Sequence, residues 1–313
     1  MAQIKNYIEK LLNIKLVDAD AIRGRKFRVC VDAVNYDDCI ALAELFRALN
    51  VDFLMLQNDK YGIWNRTKKD GFDLGLIVDS QTNSLAIISE DGTMFGEHYT
   101  LVAVADYVLS HTPGNTVSSL NCTRALRDVT LKHGGTHFAS AVSQAGMIAK
   151  MKEVGAVIGG GDNGGIIYPE YGYECNVLVG IVLFLSSLAH KLCTVSQLRS
   201  SLPNYHMVKN HIDLAPNINI ESVLKRVENR FAHDDSAQIS DADGLKIDFP
   251  DRWVYLHKLA GQSVINVYSE AKSFEHADNL ANQLLQFIYN LQKDILLIRS
   301  NTFYEDNCSY RLV

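Results

Sequence analysis

The chain has 313 residues, 47% of them hydrophobic and 21% charged, with a formal net charge of −6. This is the composition of a globular protein with apolar material for more than one core, and it excludes a disordered or collagen-like chain. The only basic run is Arg23–Arg28, too little for binding a nucleic-acid backbone, and it reads as a solvated strand entry.

Six cysteines (Cys30, Cys39, Cys122, Cys175, Cys193, Cys308) are scattered without a CxxC pair. Reduced thiols in a cytoplasm are expected, and metal ligation by them is not. The first residues, MAQIKNYIEKLLNIK, place Ile4, Tyr7, Ile8, Leu11 and Leu12 on one helical face, which is an amphipathic helix and not a signal peptide. Phe27–Val31 reads as a strand, Ile40–Leu49 as a helix and Val51–Leu56 as a strand. Leu74–Val78 and Ser84–Ile88 are apolar runs of strand length, and Asp91-Gly92 marks a hairpin turn before Met94. A helix over Tyr99–Leu109 ends at the Pro113-Gly114 breaker.

The same grammar then repeats. Thr116–Leu120 predicts a strand and Asn121–Lys132 a helix, capped by Asn121 or Thr123 and stopped by His133-Gly134-Gly135. Ala145–Val154 predicts a helix and Ala156–Ile158 a strand. The longest apolar run, Val177–Ala189, is broken by Gly180, Ser186 and Ser187, so a buried helix is expected and not a membrane span. A short helix opens at Thr194-Val195-Ser196. Alternating strands and helices imply crossovers and largely parallel sheets; the two α/β units read as distant structural repeats without evident sequence identity.

After Pro203 the pattern changes. Tyr205–Leu214 is extended, Ile220–Phe231 helical, and Gly244–Phe249, Trp253–His257 and Ser263–Tyr268 are strand-like, followed by a helix over Ser273–Gln292. The acidic stretch from Asp234 to Asp243 reads as a solvated hairpin turn. The tail 293–313 gives no assignment. The fold class expected is therefore α/β, two mixed-sheet domains over 1–112 and 113–212, followed by an α+β C-terminal domain over 213–313.

Several segments carry a family resemblance. Lys152–Pro169, KEVGAVIGGGDNGGIIYP, resembles the sugar-recognition loop of the phosphohexomutase superfamily, written GAVIGGEGNGGVIYP in its phosphoglucosamine mutase branch. Val179–Leu202 resembles the helix pair that follows there, Phe72–Leu85 the metal-loop strand, and Trp253–Ala271 the phosphate-binding strand pair. The resemblance runs from about residue 5 to about 290 in matching order. It implies the second, third and fourth of the family's four domains, a mutase activity in carbohydrate metabolism, and Mg²⁺. The serine motif of the family's first domain has no counterpart in these residues, and Asn58–Gly71 replaces a longer connection.

The chemistry that the resemblance implies is thinned at each loop. Where the family sets three aspartates for Mg²⁺, this chain has Asp79, Gln81 and Asn83, two of them uncharged. A near match to a calcium loop, with Glu90 at the twelfth place, fails at Ser84, where glycine is needed. Gly161 stands at the family's sugar-gripping glutamate; Asp162 is one place later, while Asn163, Gly164 and Gly165 match. The GxGxxG in Gly159–Gly164 is followed by Ile166-Ile167-Tyr168-Pro169 and no helix, so a dinucleotide site is not expected, and a glycine turn kept for backbone geometry is. The phosphate loop RKSNTEPIIR becomes His257-Lys258-Leu259-Ala260-Gly261-Gln262-Ser263-Val264-Ile265-Asn266, which keeps Lys258 but neither arginine. Cys175-Asn176 replaces an Arg-Asp pair, and Tyr36-Asp37-Asp38 a glycine-rich turn. His133 and His137 lie across a helix stop and read as structural.

The expected vestigial sites are therefore Asp162, Asn163, Gly164 and Lys258 for substrate and Asp79, Gln81 and Asn83 for metal, with no catalytic residue. No cofactor is expected, or Mg²⁺ only if the thinned loop still holds it. The favoured reading is a catalytically degenerate homologue used as a binding or regulatory scaffold. It would pair with a protein partner or with itself, and not with nucleic acid or membrane. A sugar-phosphate sensor, a residual mutase aided by another chain, and a decaying gene product stand as alternatives.

Overall fold

The computed structural model describes residues 2–56, 62–216, 218–259 and 261–308, which form two compact units, Met1–Asn204 and Tyr205–Val313. In the first unit α1 (Ala2–Leu12) and α2 (Ala19–Arg25) lead into β1 (Arg28–Ala33), α3 (Tyr36–Ala48), β2 (Asp52–Leu56), α4 (Gly62–Lys69), β3 (Leu74–Asp79), β4 (Ser84–Ser89) and α5 (Glu97–His111). Then come β5 (Asn115–Ser119), α6 (Ala125–Lys132), β6 (His137–Ser140), α7 (Gln144–Val154), β7 (Ala156–Gly160), β8 (Ile166–Ile167), α8 (Val177–Lys191) and α9 (Val195–Ser201).

The two halves repeat one topology. The first sheet has the order β2-β1-β3-β4 and the second β6-β5-β7-β8. In each, the first strand pairs in parallel with the second and third, and the fourth closes an antiparallel hairpin. The expected structural repeat is therefore present although its sequence signal is faint, because what repeats is strand period and turn position.

Between the sheets lie α5 and α8. The α5 helix touches β4 and β7, and α8 touches β4 and β8. Both are buried almost all round: eleven residues of α5, from Tyr99 to Leu109, and thirteen of α8, from Val177 to Ala189. A helix apolar on every face must be covered on every face. This explains why the boundary expected at 112/113 falls inside one compact unit. No single helix among the described residues is long and apolar enough to cross a membrane.

Local chemistry accounts for the ends. Asp18 caps α2 and Lys26 ends it in the left-handed region. Thr194 and Gln197 form the capping box of α9. Gly92, at φ 84°, turns the chain after β4, as Asp91-Gly92 predicts. Three expectations shift. The run Arg23–Arg28 is not only a strand entry: Arg23 and Arg25 close α2, bonding the Ala48 and Cys193 carbonyls. The α6 helix starts at Ala125 and not Asn121, since residues 121–124 form a turn in which Thr123 Oγ1 accepts the Ala125 N–H. Within the connection 58–71, residues 62–69 are helical; 58–61 lie outside the described residues.

The second unit runs β9 (His206–Asp213), α10 (Ile220–Phe231), β10 (Gln238–Ser240), β11 (Leu245–Asp248), β12 (Arg252–Lys258), β13 (Val264–Ala271) and α11 (Phe274–Cys308). Its antiparallel sheet, β10-β11-β12-β13-β9, packs an apolar face against Val223 and Val227 of α10 and Ala277, Ala281, Leu284 and Ile288 of α11. This is the expected α+β arrangement. Its first strand begins before residue 212, so the expected 212/213 division falls inside β9. The acidic stretch is not one turn, because β10 lies within it.

Candidate functional site

In both sheets of the first unit the chain leaves the second-position strand to one neighbour and returns to the other. The loops after β1 and β3 therefore splay apart, as do those after β5 and β7, and crevices at the carboxyl ends of strands result. Asn35–Asp38, Asp79–Ser84, Asn121 and Gly161–Gly165 all lie at these ends.

The loop after β3 is a closed hairpin turn. Asp79 Oδ1 accepts the Gln81 N–H at 3.0 Å and Oδ2 accepts the Thr82 hydroxyl at 2.8 Å. Asn83 sits at φ 53°, a conformation that asparagine tolerates better than most residues, which gives its presence a backbone reason. Asp38, buried in the first turn of α3, accepts the Ser80 N–H at 2.9 Å and an Asn35 Nδ2 donor at 2.7 Å. The acidic turn after β1 thus braces the loop after β3.

The glycine loop after β7 is sewn to that hairpin. Asn163 accepts the Leu85 N–H through its carbonyl at 2.9 Å, and its Nδ2 donates to the Thr82 carbonyl at 3.0 Å. Gly164 has φ 80°, and a Cβ there would strike the Leu85 carbonyl oxygen. A Cβ on Gly165 would meet Cys175 Sγ and, at 2.7 Å, the Asn83 carbonyl. The glycines are held by close backbone approach, as the turn reading expects. Asp162 turns inward: its Oδ2 accepts from Asn121 Nδ2 at 2.6 Å, while Asn121 Oδ1 accepts the Ser119 hydroxyl at 2.7 Å. Asn121 is therefore a partner of Asp162 and not the cap of α6.

Two cavities adjoin these loops. One of about 130 Å³ is lined by Thr82, Asn83, Ser119, Met147, Asp162 and Asn163 among others. The other, of about 520 Å³, shares Asn83 and Cys175 and adds Tyr7, Asp37, Asp38, Glu174 and Asn176. Burial pushes the Cys175 thiol up to about 11, so it is not a ready nucleophile. Asn176 caps α8 through the Leu178 and Val179 N–H groups and donates to Tyr7 Oη at 2.8 Å. Burial raises the Tyr7 pKa, against the hydrogen bonds from Asn176 and Tyr171. Asn176→Ala is expected to cost about 1–2 kcal/mol in urea unfolding, through the lost cap and the loss of one of the hydrogen bonds at the Tyr7 hydroxyl. The sequence signal for this network was the Cys175-Asn176 replacement, read there only as a loss.

In the second unit, Lys258 Nζ lies 3.3 Å from Glu221 Oε1, and His257 Nε2 lies 3.6 Å from Asp243 Oδ1. Both pairs line a groove of about 650 Å³ with Lys225, Glu228 and Asp241. Ala260 of this loop lies outside the described residues.

Residues 96–205 match the family model "Phosphoglucomutase/phosphomannomutase, alpha/beta/alpha domain III". The chain is similar over this stretch to the phosphoglucomutase/phosphomannomutase family. It is 26% identical over 293 residues to a phosphoglucomutase/phosphomannomutase of Thermococcus kodakarensis, covering 88% of this chain and 63% of that one. It is 22% identical to a phosphoglucosamine/phosphogalactosamine mutase of Sulfurisphaera tokodaii, covering 91% and 66%. A phosphoglucomutase/phosphomannomutase family structure from Burkholderia thailandensis shares the fold with a TM-score of 0.76 at 22% identity, over 93% of this chain and 64% of that one. The chain thus spans just under two thirds of the length of these phosphohexomutases.

The family implies Mg²⁺, and the residues present do not fit it. Both Asp79 oxygens are engaged in their own turn, and Gln81 and Asn83 bring no charge. Among the described residues no group of three His, Cys, Asp or Glu could hold a metal ion.

Proposed function

We propose that this chain is a phosphohexomutase homologue that no longer transfers phosphate and serves in the cytoplasm as a binding or regulatory scaffold. One observation carries the reading: five of the polar side chains left in the candidate loops are spent on internal bonds. Asp79 closes its turn, Asp162 holds Asn121, Asn163 laces two loops together, Lys258 faces Glu221 and His257 faces Asp243. A phosphate arriving at Lys258 meets a lysine that already has a carboxylate partner, beside the further carboxylates of Glu228, Asp241 and Asp243. The apolar core meanwhile is intact, and most core changes destabilise, which supports selection for a folded surface.

The test is a coupled assay with glucose 1-phosphate, glucose 1,6-bisphosphate and Mg²⁺. No glucose 6-phosphate above a protein-free control is expected. Turnover within about a hundredfold of an ordinary enzyme's ~10 s⁻¹ contradicts the reading.

A further inference from the structure

A strand with a neighbour on one side only can still pair with another chain. The two sheets of the first unit have four edge strands, β2, β4, β6 and β8. Three of them are blunted by the chain itself. On β4 the Ile87 carbonyl accepts the Phe95 N–H, and the Leu85 N–H donates to the Asn163 carbonyl. On β8 the Ile166 carbonyl accepts the Asn176 N–H. The β6 strand is four residues long, and Lys150 Nζ lies over its Phe138 ring.

The β2 strand has no such cover. It reads Asp52-Phe53-Leu54-Met55-Leu56, in unbroken parallel register with β1, with no proline and no charge after Asp52. One bond tells which backbone groups face outward. The Asp52 N–H donates to the Phe27 carbonyl on the β1 side. Asp52, Leu54 and Leu56 therefore turn their N–H and C=O groups to β1, and Phe53 and Met55 turn theirs away. Among the described residues neither Phe53 nor Met55 has a backbone partner on that side. The Val51 N–H, next in the outward series, is already held by the Phe46 carbonyl. The side chains are apolar on both faces of the strand. The Phe53 ring lies 5.5 Å from that of Phe46, while Leu54 and Leu56 join the cluster of Cys30, Ile63 and Phe72. Phe53, Leu54 and Met55 are each only partly buried.

We propose that β2 is a homodimerisation edge, paired antiparallel with β2 of a second copy about a two-fold axis at Leu54. Phe53 then faces Met55 of the second copy, and each of the two such pairs exchanges both of its N–H···O=C bonds. This register satisfies all four outward groups from the described residues alone. An axis at Phe53 sets Met55 against Val51, whose N–H is taken. An axis midway between two residues sets an outward group against an inward one. Leu54 meets Leu54 across the axis, and each Phe53 ring meets a Met55 thioether, pairs that stabilise a sheet. The contact is isologous, so it closes at two copies. A five-residue edge is a small interface, so the dimer should be half-formed at about 10–100 μM. The inference does not rest on the scaffold reading, because pairing at β2 is the same whether or not phosphate is transferred.

Sedimentation velocity of the full chain across about 1–300 μM, with amide hydrogen exchange at both ends of the range, is the test. A reversible monomer–dimer equilibrium is expected, in which the Phe53 and Met55 amides slow as the dimer forms. Met55→Pro removes an outward N–H and no bond to β1, so it should raise the dissociation constant about tenfold or more and leave the monomer folded. Leu54→Lys should do the same by setting like charges across the axis, and mixing it with Leu54→Glu should restore the dimer. Where a variant melts early, the amide exchange of the unaltered chain decides. A chain that stays monomeric throughout, or a dimer in which the Phe53 and Met55 amides still exchange freely, overturns the proposal.

Discussion

Gly164→Ala is expected to lower the stability of the first unit by about 3 kcal/mol or more, seen as a drop in Tm of roughly 6–12 °C. Two penalties add. Gly164 stands at φ 80°, where an L side chain is strained, and the new Cβ would strike the Leu85 carbonyl oxygen. That carbonyl belongs to backbone, so relief requires moving the strand. Moving it breaks the Leu85 N–H bond to Asn163 and with it the seam between the hairpin after β3 and the loop after β7. Gly134→Ala is the matched control: it also has positive φ, 78°, but a Cβ there meets nothing within 4 Å. It should cost only the strain, about 1 kcal/mol. Equal losses for the two variants would show that the seam carries no load.

Asp106→Asn is expected to cost about 3 kcal/mol, measured by urea unfolding. Asp106 is 5% exposed on α5, and its carboxylate gathers two lysines and a histidine. Lys191 Nζ of α8 lies at 2.5 Å, His133 Nε2 beyond α6 at 2.9 Å and Lys132 Nζ at 3.4 Å. It ties the C-terminal ends of two helices to the central helix, where cations also complement the helix dipoles. Burial raises the carboxyl pKa, but the hydrogen bonds from Lys191 and His133 and the charges of Lys191 and Lys132 outweigh it and hold the group at about 2. The folded pKa lies below the unfolded value of 3.8, so the stabilisation is full above pH 4 and fades as pH falls from about 4 to about 2. The difference amounts to about 2 kcal/mol. The wild type should lose this increment across that window, and Asp106→Asn should not. Parallel acid-unfolding curves for the two proteins would contradict the assignment.

What could be read from the sequence was what local periodicity and turn chemistry encode. The apolar run Val177–Ala189, the Thr194 cap, the Asp91-Gly92 turn and the period-two strands of the second unit each announce themselves within a few residues. The α4 helix did not, because its eight residues bury only Ile63 and Thr67 and give no stripe to count. The four-residue edge strand β6 buries only Ser140 and has no alternation to reveal it.

The candidate site shows the same division. Its glycines were legible as a turn, and the neutralised positions Gln81 and Asn83 as lost charge. The fates of the surviving polar groups were not. Asp162 finds Asn121 across 41 positions, and Lys258 finds Glu221 across 37. Such pairings follow from which strands lie side by side, and the sequence of either partner carries no mark of the other.

The central claim is that these loops keep their polar groups for themselves. Its most direct measurement is calorimetric titration of the full chain with Mg²⁺, and then with glucose 1,6-bisphosphate in the presence of Mg²⁺. It does not depend on a phosphorylated serine. The account predicts no saturable heat for either ligand up to millimolar concentrations, a free energy weaker than about −4 kcal/mol. A dissociation constant in the micromolar range for the bisphosphate, abolished by Lys258→Ala or Asp162→Asn, would contradict it.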